Sequence, residues 1–296
     1  MPIYHVTYMS DGYKVKGYLG LPEGWSFPPQ QVEDWIQAAS ATTVSLPARF
    51  LARLVNPNET SEVHQDAVPV AATEAEKLAT QKLPGFIYCR GGIRKVGMVN
   101  PDWVAEFASY GYAVFAPSYR GNEGGEGRDE FGGADREDVH SAFRLLQKLP
   151  FVKQNEISVM GFSRGAVNAA LSAVEVPGVQ KLILWGGVAD LRATYQERVD
   201  LRRMLRRVVG GTPGKVPEEY ARRSPLNLAS QIPCPVLIMH GTDDVQVDFS
   251  HGEQMFQRLS ELGKQVSFHR FDNGGHHLPP PEHRIAVQNM FTWIRH

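Results

Sequence analysis

A single pentapeptide limits the folds open to this chain more than any other stretch. It is Gly161-Phe162-Ser163-Arg164-Gly165. A β-branched apolar run precedes it from Ile157, and small residues follow it to Ala170, which predicts a strand, a sharp turn and a helix packed closely on a sheet. Such a turn strains the backbone of its serine, and the flanking glycines leave room for the crowded strand and helix. Ser163 is therefore a candidate nucleophile, and an incidental serine in a glycine-rich turn is the alternative.

Two backbone N–H groups are candidates for an oxyanion hole, the pair of donors that binds the negative oxygen formed during acyl transfer. The first belongs to Arg164, where the predicted helix begins and its dipole is positive. The second lies after the predicted strand over 86–89, where a glycine pair lets the backbone approach a ligand. We assign this donor to Gly92, with Ile93 as the neighbouring alternative. A simple strand-ending turn is the other interpretation of the glycine pair.

Length and charge narrow the class of protein. With 296 residues, the chain can form one large α/β domain that carries an insertion, and it is short for two complete domains. Its formal net charge is -1, so no overall field attracts nucleic acid or an anionic membrane. The expected partner is a small peptide or acyl substrate, with neither nucleic acid nor membrane.

The cysteines and the first residues bear on location. Cys89 and Cys234 lie in or beside apolar strand-like runs, and a pair of cysteines cannot build a disulfide framework. Both are expected to be buried thiols, which fits a reducing compartment. The chain does not open with a basic segment followed by an apolar one, and no apolar run is long enough to span a bilayer. The sequence predicts a soluble, cytoplasmic protein.

Residues 1–83 divide into a hairpin and an insertion. Alternating residues on both sides of a turn at 10–12 predict an antiparallel β-hairpin at the edge of the sheet. Residues 22–83 are rich in Pro, Gln, Ala and Thr, and we interpret them as an inserted, partly helical segment. Its helical patches are predicted at 32–39, 48–55 and 74–82. Its aromatic residues would either cover the active site or pack on the flank of the domain: Trp25, Phe27 and Trp35.

From residue 84 onward, strand and helix patterns alternate. The predicted strands are 86–89, 112–117, 157–160, 182–187, 235–239 and 266–271. Helical periodicity is found over 102–110, 134–149 and 282–295, and a further helix follows the pentapeptide. This alternation predicts an α/β fold with a mainly parallel, twisted sheet and helices on both faces.

The segment 190–231 holds no strand pattern, and we interpret it as a short cap-like segment. It contains an amphipathic helix with apolar residues on one face and arginines on the other. The arginines are Arg202, Arg203, Arg206 and Arg207. A solvated helix face is one interpretation of this cluster. Attraction of a substrate carboxylate, such as a peptide C-terminus, is the other.

The last two predicted strands each lead into a loop with candidates for acid–base chemistry. A serine hydroxyl is a poor nucleophile until a base removes its proton, histidine is suited to that role, and a carboxylate orients the imidazole. Asp243 and Asp244 follow the strand at 235–239, and His276 and His277 follow the strand at 266–271. Serine, acid and histidine thus occur in the order expected for an α/β-hydrolase.

Several motifs together resemble the prolyl oligopeptidase group of serine peptidases, which includes dipeptidyl and acylaminoacyl peptidases. They are Tyr119-Arg120-Gly121, Phe131-Gly132-Gly133 before Asp138, the pentapeptide around Ser163, Arg223-Ser224-Pro225, the run from His240 to Val247, and Gly275-His276. The resemblance covers about 83–296. It implies an α/β-hydrolase fold and cleavage of peptide or acyl-amide bonds through an acyl-enzyme. Its His-Gly-x-x-Asp-x-x-Val pattern selects Asp244, and its glycine-preceded histidine favours His276 over His277.

Two departures from the family pattern affect the substrate. Arg90-Gly91-Gly92-Ile93 stands where relatives often have His-Gly-Gly-Pro or a variant with tyrosine, so the oxyanion donor there must come from the backbone. The chain also has no room for the β-propeller that restricts substrate size in larger members. Access would be set by the insertion, by the segment 190–231, or by a homo-oligomer.

Other functional classes fit the sequence less well. A carboxylesterase would use the same residues, and a binding protein without catalysis could retain the fold. No metal and no cofactor are predicted, because His-Glu-x-x-His is absent and the glycine-rich loop at 121–127 lacks the Lys-Ser or Lys-Thr of a phosphate-binding loop. Cys89 is not predicted to be the nucleophile, since it lies within a predicted strand rather than on a turn.

Overall fold

The computed structural model describes residues 1–40, 81–93 and 96–296. The predicted helical patch at 48–55 and most of the patch at 74–82 lie outside these residues. The strands are β1 (Ile3–Ser10), β2 (Tyr13–Gly20), β3 (Leu83–Cys89), β4 (Ala113–Pro117), β5 (Val152–Phe162), β6 (Val179–Trp185), β7 (Val236–Gly241) and β8 (Val266–Phe271). The helices are α1 (Pro29–Ser40), α2 (Pro101–Ala108), α3 (Arg136–Lys148), α4 (Gly165–Glu175), α5 (Leu191–Glu197), α6 (Arg202–Val209), α7 (Pro217–Arg222), α8 (Pro225–Leu228), α9 (Ser250–Glu261) and α10 (Pro280–Arg295).

The strands form one eight-stranded sheet in the order β1-β2-β4-β3-β5-β6-β7-β8. The hairpin β1–β2 is antiparallel and pairs antiparallel with β4, and the other neighbours are parallel. This confirms the predicted α/β-hydrolase fold with its antiparallel hairpin at the edge. Because parallel neighbours end on the same side, the loops after β3, β5, β7 and β8 come together at one rim of the sheet.

Helices cover both faces of the sheet. Apolar residues of α1, α3, α4 and α9 pack on one face, and those of α2 and α10 pack on the other. The predicted central strands are almost wholly buried, whereas the edge strand β8 is half-buried. No helix in the described part of the chain combines the length and the apolar character needed to cross a bilayer.

Several helix ends coincide with capping residues that are visible in the sequence. Asn100 accepts the N–H of Asp102 at 2.9 Å just before α2. Asp190 accepts the N–H of Arg192 at 2.7 Å and begins α5 in the same way. Gly210 ends α6 with φ of 100°, a left-handed conformation that favours glycine. The boundaries of these helices are therefore set by local side-chain and backbone chemistry.

The Tyr119-Arg120-Gly121 motif has a structural role at the hairpin. Arg120 Nη2 donates to Asp138 Oδ1 at 2.9 Å, and Ser10 Oγ donates to the same oxygen at 2.7 Å. The side chains of Arg120 and Asp138 are both almost fully buried. This ion pair therefore ties the end of β1 to α3 and to the loop after β4.

The aromatic residues at the start of the predicted insertion pack on the flank of the domain. Trp25, Phe27 and Trp35 contact Phe151, with ring centroids 6.2, 5.3 and 5.5 Å from it. Phe151 precedes β5, at the amino ends of the parallel strands, whereas the active-site candidates follow their carboxyl ends. Of the alternatives for these aromatic residues, flank packing is correct and coverage of the active site is wrong.

The segment 190–231 is helical and packs through its own apolar cluster. The cluster joins residues of α6 and α7 to Val167 and Leu171 of α4 and to Val188. The α6 helix has the predicted two faces, because Leu205, Val208 and Val209 are buried. This segment stands beside the rim of the sheet at which the candidate residues meet.

Candidate active site

Ser163 lies on the sharp turn between β5 and α4. Its φ is 57°, in the left-handed region that is strained for residues other than glycine. Its N–H donates to the Trp185 carbonyl at 2.9 Å. A Cβ at Gly165 would lie 2.0 Å from the Cys89 carbonyl oxygen, and one at Gly161 would lie 2.5 Å from the Ala166 nitrogen. Both glycines are therefore required by close approach of the backbone.

His276 and Asp244 meet across the neighbouring strands β7 and β8. His276 Nδ1 is 2.7 Å from Asp244 Oδ2. The other carboxylate oxygen accepts the N–H groups of Gln246 and Val247 at 2.8 and 2.9 Å. Both side chains are buried, and His276 lines the same cleft as Ser163. No hydrogen bond joins Ser163 Oγ to His276 within the described residues.

The Asp244 carboxyl is held in its charged form. Burial alone raises the pKa of this group, but hydrogen bonds from His240, His276 and the Val247 N–H outweigh burial and hold the pKa well below its ordinary range. Asp244 therefore carries its negative charge throughout the neutral pH range, and its Oδ2 can accept a hydrogen bond from the Nδ1–H group of His276.

A second histidine contacts the same carboxylate. His240 Nε2 lies 2.9 Å from the Val247 carbonyl oxygen and 3.3 Å from Asp244 Oδ2. Because both neighbours are acceptors, Nε2 carries the proton. His240 Nδ1 is buried without a hydrogen-bond partner in the described residues. His240 is thus a hydrogen-bond donor that helps to orient Asp244, a role that its place in the His-Gly-x-x-Asp motif did not reveal.

The two neighbouring candidates are placed differently. Asp243 is exposed, and its Oδ1 accepts a hydrogen bond from Thr242 Oγ1 at 3.1 Å. His277 lines the cleft and packs on the ring of Phe162 at 5.0 Å between centroids. Burial lowers the pKa of His277, and no carboxylate in the described part of the chain accepts a hydrogen bond from it. The structure therefore brings Asp244 together with His276, and leaves Asp243 and His277 outside this contact.

The loop after β3 lies directly against Ser163. A Cβ at Gly91 would be 2.9 Å from the Ser163 Cβ, and Gly92 has φ of 61°. The Gly91 carbonyl accepts a hydrogen bond from Arg90 Nη1 at 3.0 Å, and the Gly92 carbonyl accepts one from Arg164 Nη1 at 3.0 Å. These two contacts hold the loop in place beside Ser163. The N–H groups of Gly92 and Arg164 donate to no backbone carbonyl within the described residues. Both residues line the cleft.

The Arg164 side chain is the centre of a buried ion-pair network. Its guanidinium contacts Asp129 at 2.8 Å and Asp135 at 2.6 Å, and it lies over the ring of Tyr119. Burial by itself lowers the pKa of Arg164, but the charges of Asp129 and Asp135 outweigh it and raise the pKa. One residue therefore offers a backbone N–H beside Ser163 and fixes the Gly92 loop through its side chain.

We expect Arg164→Lys to lower both kcat and stability. A lysine keeps the charge but cannot bind two carboxylates and the Gly92 carbonyl together, so the loop loses its support. We expect kcat to fall about tenfold. We also expect the free energy of unfolding to fall by about 2 kcal/mol, which lowers the midpoint of thermal unfolding by about 4 °C.

The matched control is Arg136→Lys. Arg136 lies on α3 and pairs with Glu175 at 2.9 Å while remaining partly exposed. The unfolding midpoint of this variant should stay within about 1 °C of the wild type, and its kcat within about twofold. Equal kcat values for Arg164→Lys and the wild type would show that the side chain does not position the loop.

The cleft around Ser163 has a volume of about 710 Å³, sufficient for a short peptide. Its lining combines aromatic residues of β3, α2 and the pentapeptide with residues of the segment 190–231. The aromatic residues are Tyr88, Trp103 and Phe162. The segment 190–231 contributes Thr194, Arg198, Leu201, Met204 and Arg207. The site is therefore mainly apolar with a few polar groups.

One cluster in the described residues has the ligand types of a metal site. It consists of Glu137, His140 and Glu175 on α3 and α4. Arg136 forms an ion pair with Glu175 at 2.9 Å and lies 3.8 Å from Glu137, so both carboxylates already have a cationic neighbour. None of its members lines the cleft at Ser163.

Together, the α/β-hydrolase fold and a serine on a strained strand-to-helix turn define a serine hydrolase. The model of the prolyl oligopeptidase family matches residues 100–296. The chain is 47% identical over 222 residues to the protein named "uncharacterized peptidase YtmA" of Bacillus subtilis strain 168, which covers 75% of this chain and 86% of that protein. This chain belongs to the prolyl oligopeptidase family and is a serine peptidase.

More distant relatives are longer than this chain. Dipeptidyl-peptidase 5 of Porphyromonas endodontalis is 24% identical over 233 residues, which are 73% of this chain and 33% of that protein. The acylaminoacyl peptidase of Pyrococcus horikoshii superposes with a TM-score of 0.69 at 16% identity, covering 99% of this chain and 41% of that one. A puromycin-hydrolyzing peptidase of Mycobacterium tuberculosis superposes with a TM-score of 0.69 at 19% identity, covering 98% of this chain and 38% of that one. The chain spans about a third to two fifths of these longer relatives.

Proposed function

We propose that Ser163, His276 and Asp244 form the catalytic triad of this peptidase, and that it cleaves peptide or acyl-amide bonds through an acyl-enzyme. The observation that carries the assignment is the 2.7 Å contact between His276 Nδ1 and a buried Asp244, with Ser163 and His276 lining one cleft. The order of the residues in the chain and the strained turn at Ser163 support the same assignment.

In the proposed first step, Ser163 Oγ attacks the carbonyl carbon of the substrate. His276 Nε2 accepts the proton of the hydroxyl, and Nδ1–H continues to donate to Asp244 Oδ2. The negative charge of Asp244 stabilises the imidazolium that forms. In the complex with substrate, the Oγ–Nε2 distance has to reach hydrogen-bond length, since the proton passes between these two atoms.

The proposed oxyanion donors are the N–H groups of Arg164 and Gly92. They stabilise the negative oxygen of the tetrahedral intermediate, and removal of one such donor commonly costs about 100-fold to 1000-fold in kcat. His276 then gives its proton to the leaving amine, and the C–N bond breaks. In the second half, His276 activates water, which attacks the acyl-enzyme and releases the acid and free Ser163.

A fluorophosphonate probe tests this assignment directly. The active serine is expected to be labelled, and mass spectrometry of the digested protein should place the label on Ser163. Turnover of aminoacyl, dipeptidyl and N-acyl-aminoacyl chromogenic amides, compared with short acyl esters, then separates a peptidase from an esterase. Folded wild-type protein that takes up no label would contradict the triad.

We expect kcat/KM to fall towards acid pH, because a doubly protonated imidazole cannot act as the general base for a serine hydroxyl. Asp244 does not contribute to this fall, because its pKa lies well below the ordinary range and its carboxylate stays charged. Protonated His276 cannot accept the serine proton, so the profile should show one ionisation.

The measurement is kcat/KM from pH 5 to 8 at constant ionic strength, with the folded state monitored by circular dichroism at each pH. A flat profile in folded protein would argue against a histidine base.

We also propose that the segment 190–231 acts as a cap that selects the substrate in a single hydrolase domain, and that the protein works in the cytoplasm. Five cleft-lining residues between Thr194 and Arg207 support the first proposal. Two buried free thiols, Cys89 and Cys234, support the second.

A further inference from the structure

The charges along the cleft are unbalanced. Its described lining contains three arginines, Arg164, Arg198 and Arg207, and contains neither aspartate nor glutamate. Arg164 is neutralised by Asp129 and Asp135. Arg198 is neutralised by Asp200, whose carboxylate accepts hydrogen bonds from Nε and Nη2 of the guanidinium at 3.0 and 2.8 Å.

Arg207 differs from the other two arginines. Its side chain forms no ion pair with any residue in the described ranges, and it is exposed at the cleft. Its backbone carbonyl accepts Arg128 Nη2 at 2.7 Å, so the end of α6 is attached to the loop after β4. Arg206 precedes it on the same helix and does not line the cleft.

The cleft around Arg207 is lined by apolar side chains. Leu201 and Met204 come from the same segment and line the same cleft, and they pack against a cluster that includes two further lining residues, Phe131 and Val188. Apolar neighbours of this kind exclude water when a ligand binds, and a guanidinium group binds a carboxylate strongly in such surroundings. A substrate ammonium group finds no acidic partner among the described lining residues.

We infer that Arg207 binds a carboxylate of the substrate, and that this peptidase prefers peptides that carry a free acid near the cleaved bond. The inference rests on the proposed function and adds the substrate class to it. Arg207 is a specificity-determining residue, and it takes no part in the bond-breaking steps.

Matched substrate pairs test the inference and identify the source of the carboxylate. The first pair is a short peptide with a C-terminal acid or amide, and the second is the same peptide nitroanilide with an N-succinyl or N-acetyl group. For at least one pair, the wild type should prefer the acid by about tenfold in kcat/KM, as one partly desolvated ion pair provides. The preference should decrease at high salt.

The variants are Arg207→Gln, Arg207→Lys and the control Arg206→Gln. In Arg207→Gln, the ratio of kcat/KM for the acid substrate to kcat/KM for the neutral substrate should fall to about one. Arg207→Lys should keep part of the acid preference. The control should retain the full preference, because Arg206 carries the same charge on the same helix but lies away from the cleft. The Arg128 contact survives all three substitutions, since it involves a backbone carbonyl.

Equal rates for acid and neutral substrates in the wild type, or an acid preference that persists in Arg207→Gln, would overturn the inference. Fluorophosphonate labelling of the wild-type Ser163 separates this outcome from failure of the proposed function. Labelled protein without an acid preference refutes only the role of Arg207, whereas unlabelled folded protein refutes the triad.

Discussion

Ser163→Ala is expected to lower kcat by about five to six orders of magnitude, because the variant has no nucleophile to form the acyl-enzyme. The fold should be retained. Alanine and serine have similar difficulty in adopting the φ of 57° at this turn, and the Ser163 N–H to Trp185 contact involves only the backbone. The measurement is kcat on the best amide substrate, together with the midpoint of thermal unfolding.

Ser260→Ala is the matched control. Ser260 lies on α9 and its hydroxyl donates to the Phe256 carbonyl at 2.8 Å, away from the cleft. The control should keep wild-type activity. A Ser163→Ala protein that still turns over substrate within about tenfold of the wild type would show that another residue is the nucleophile.

Asp244→Asn should reduce kcat by about four orders of magnitude, whereas Asp243→Asn should change it by less than about threefold. Asparagine at 244 can present an N–H to His276 Nδ1, which would favour the tautomer that cannot accept the serine proton, and it removes the charge that stabilises the imidazolium. Asp243 is exposed and its carboxylate accepts a hydrogen bond from Thr242, so its charge is largely screened by solvent.

The two variants serve as controls for each other, since they remove the same charge from adjacent positions. Both should be assayed at one pH, with unfolding midpoints measured in parallel. If Asp243→Asn proved the more damaging, the orienting carboxylate would be Asp243 and the assignment of Asp244 would be wrong.

The fold could be predicted because its determinants are local. The pentapeptide at 161–165 specifies a strand, a turn and a helix by backbone sterics, and the alternation from residue 84 specifies a parallel sheet. Strand order then places the residues after β5, β7 and β8 at one rim. The loop position alone proposes both Asp243 and Asp244, and the family pattern favours Asp244. The fold adds the physical reason, because Asp244 is the carboxylate that lies buried against an imidazole.

The parts that escaped prediction depend on contacts between distant residues. Arg164 pairs with Asp129 and Asp135, about 30 positions earlier in the chain, and no periodicity identifies such partners. The arginine cluster of α6 gives a second example. Amphipathic spacing puts Arg206 and Arg207 on one polar side, and only packing of the helix decides that Arg207 reaches the cleft.

The residues assigned to bond cleavage and those assigned to substrate selection lie in separate parts of the chain, which matters for engineering. The loops after β5, β7 and β8 carry the residues that we assign to bond cleavage, whereas Leu201, Met204 and Arg207 come from one continuous segment. That segment could be exchanged as a cassette to redirect the enzyme to new substrates while its reaction chemistry stays in place. A transplanted cassette should keep an arginine at Arg198, because its guanidinium donates to the Gln246 carbonyl at 2.8 Å, close beside Asp244.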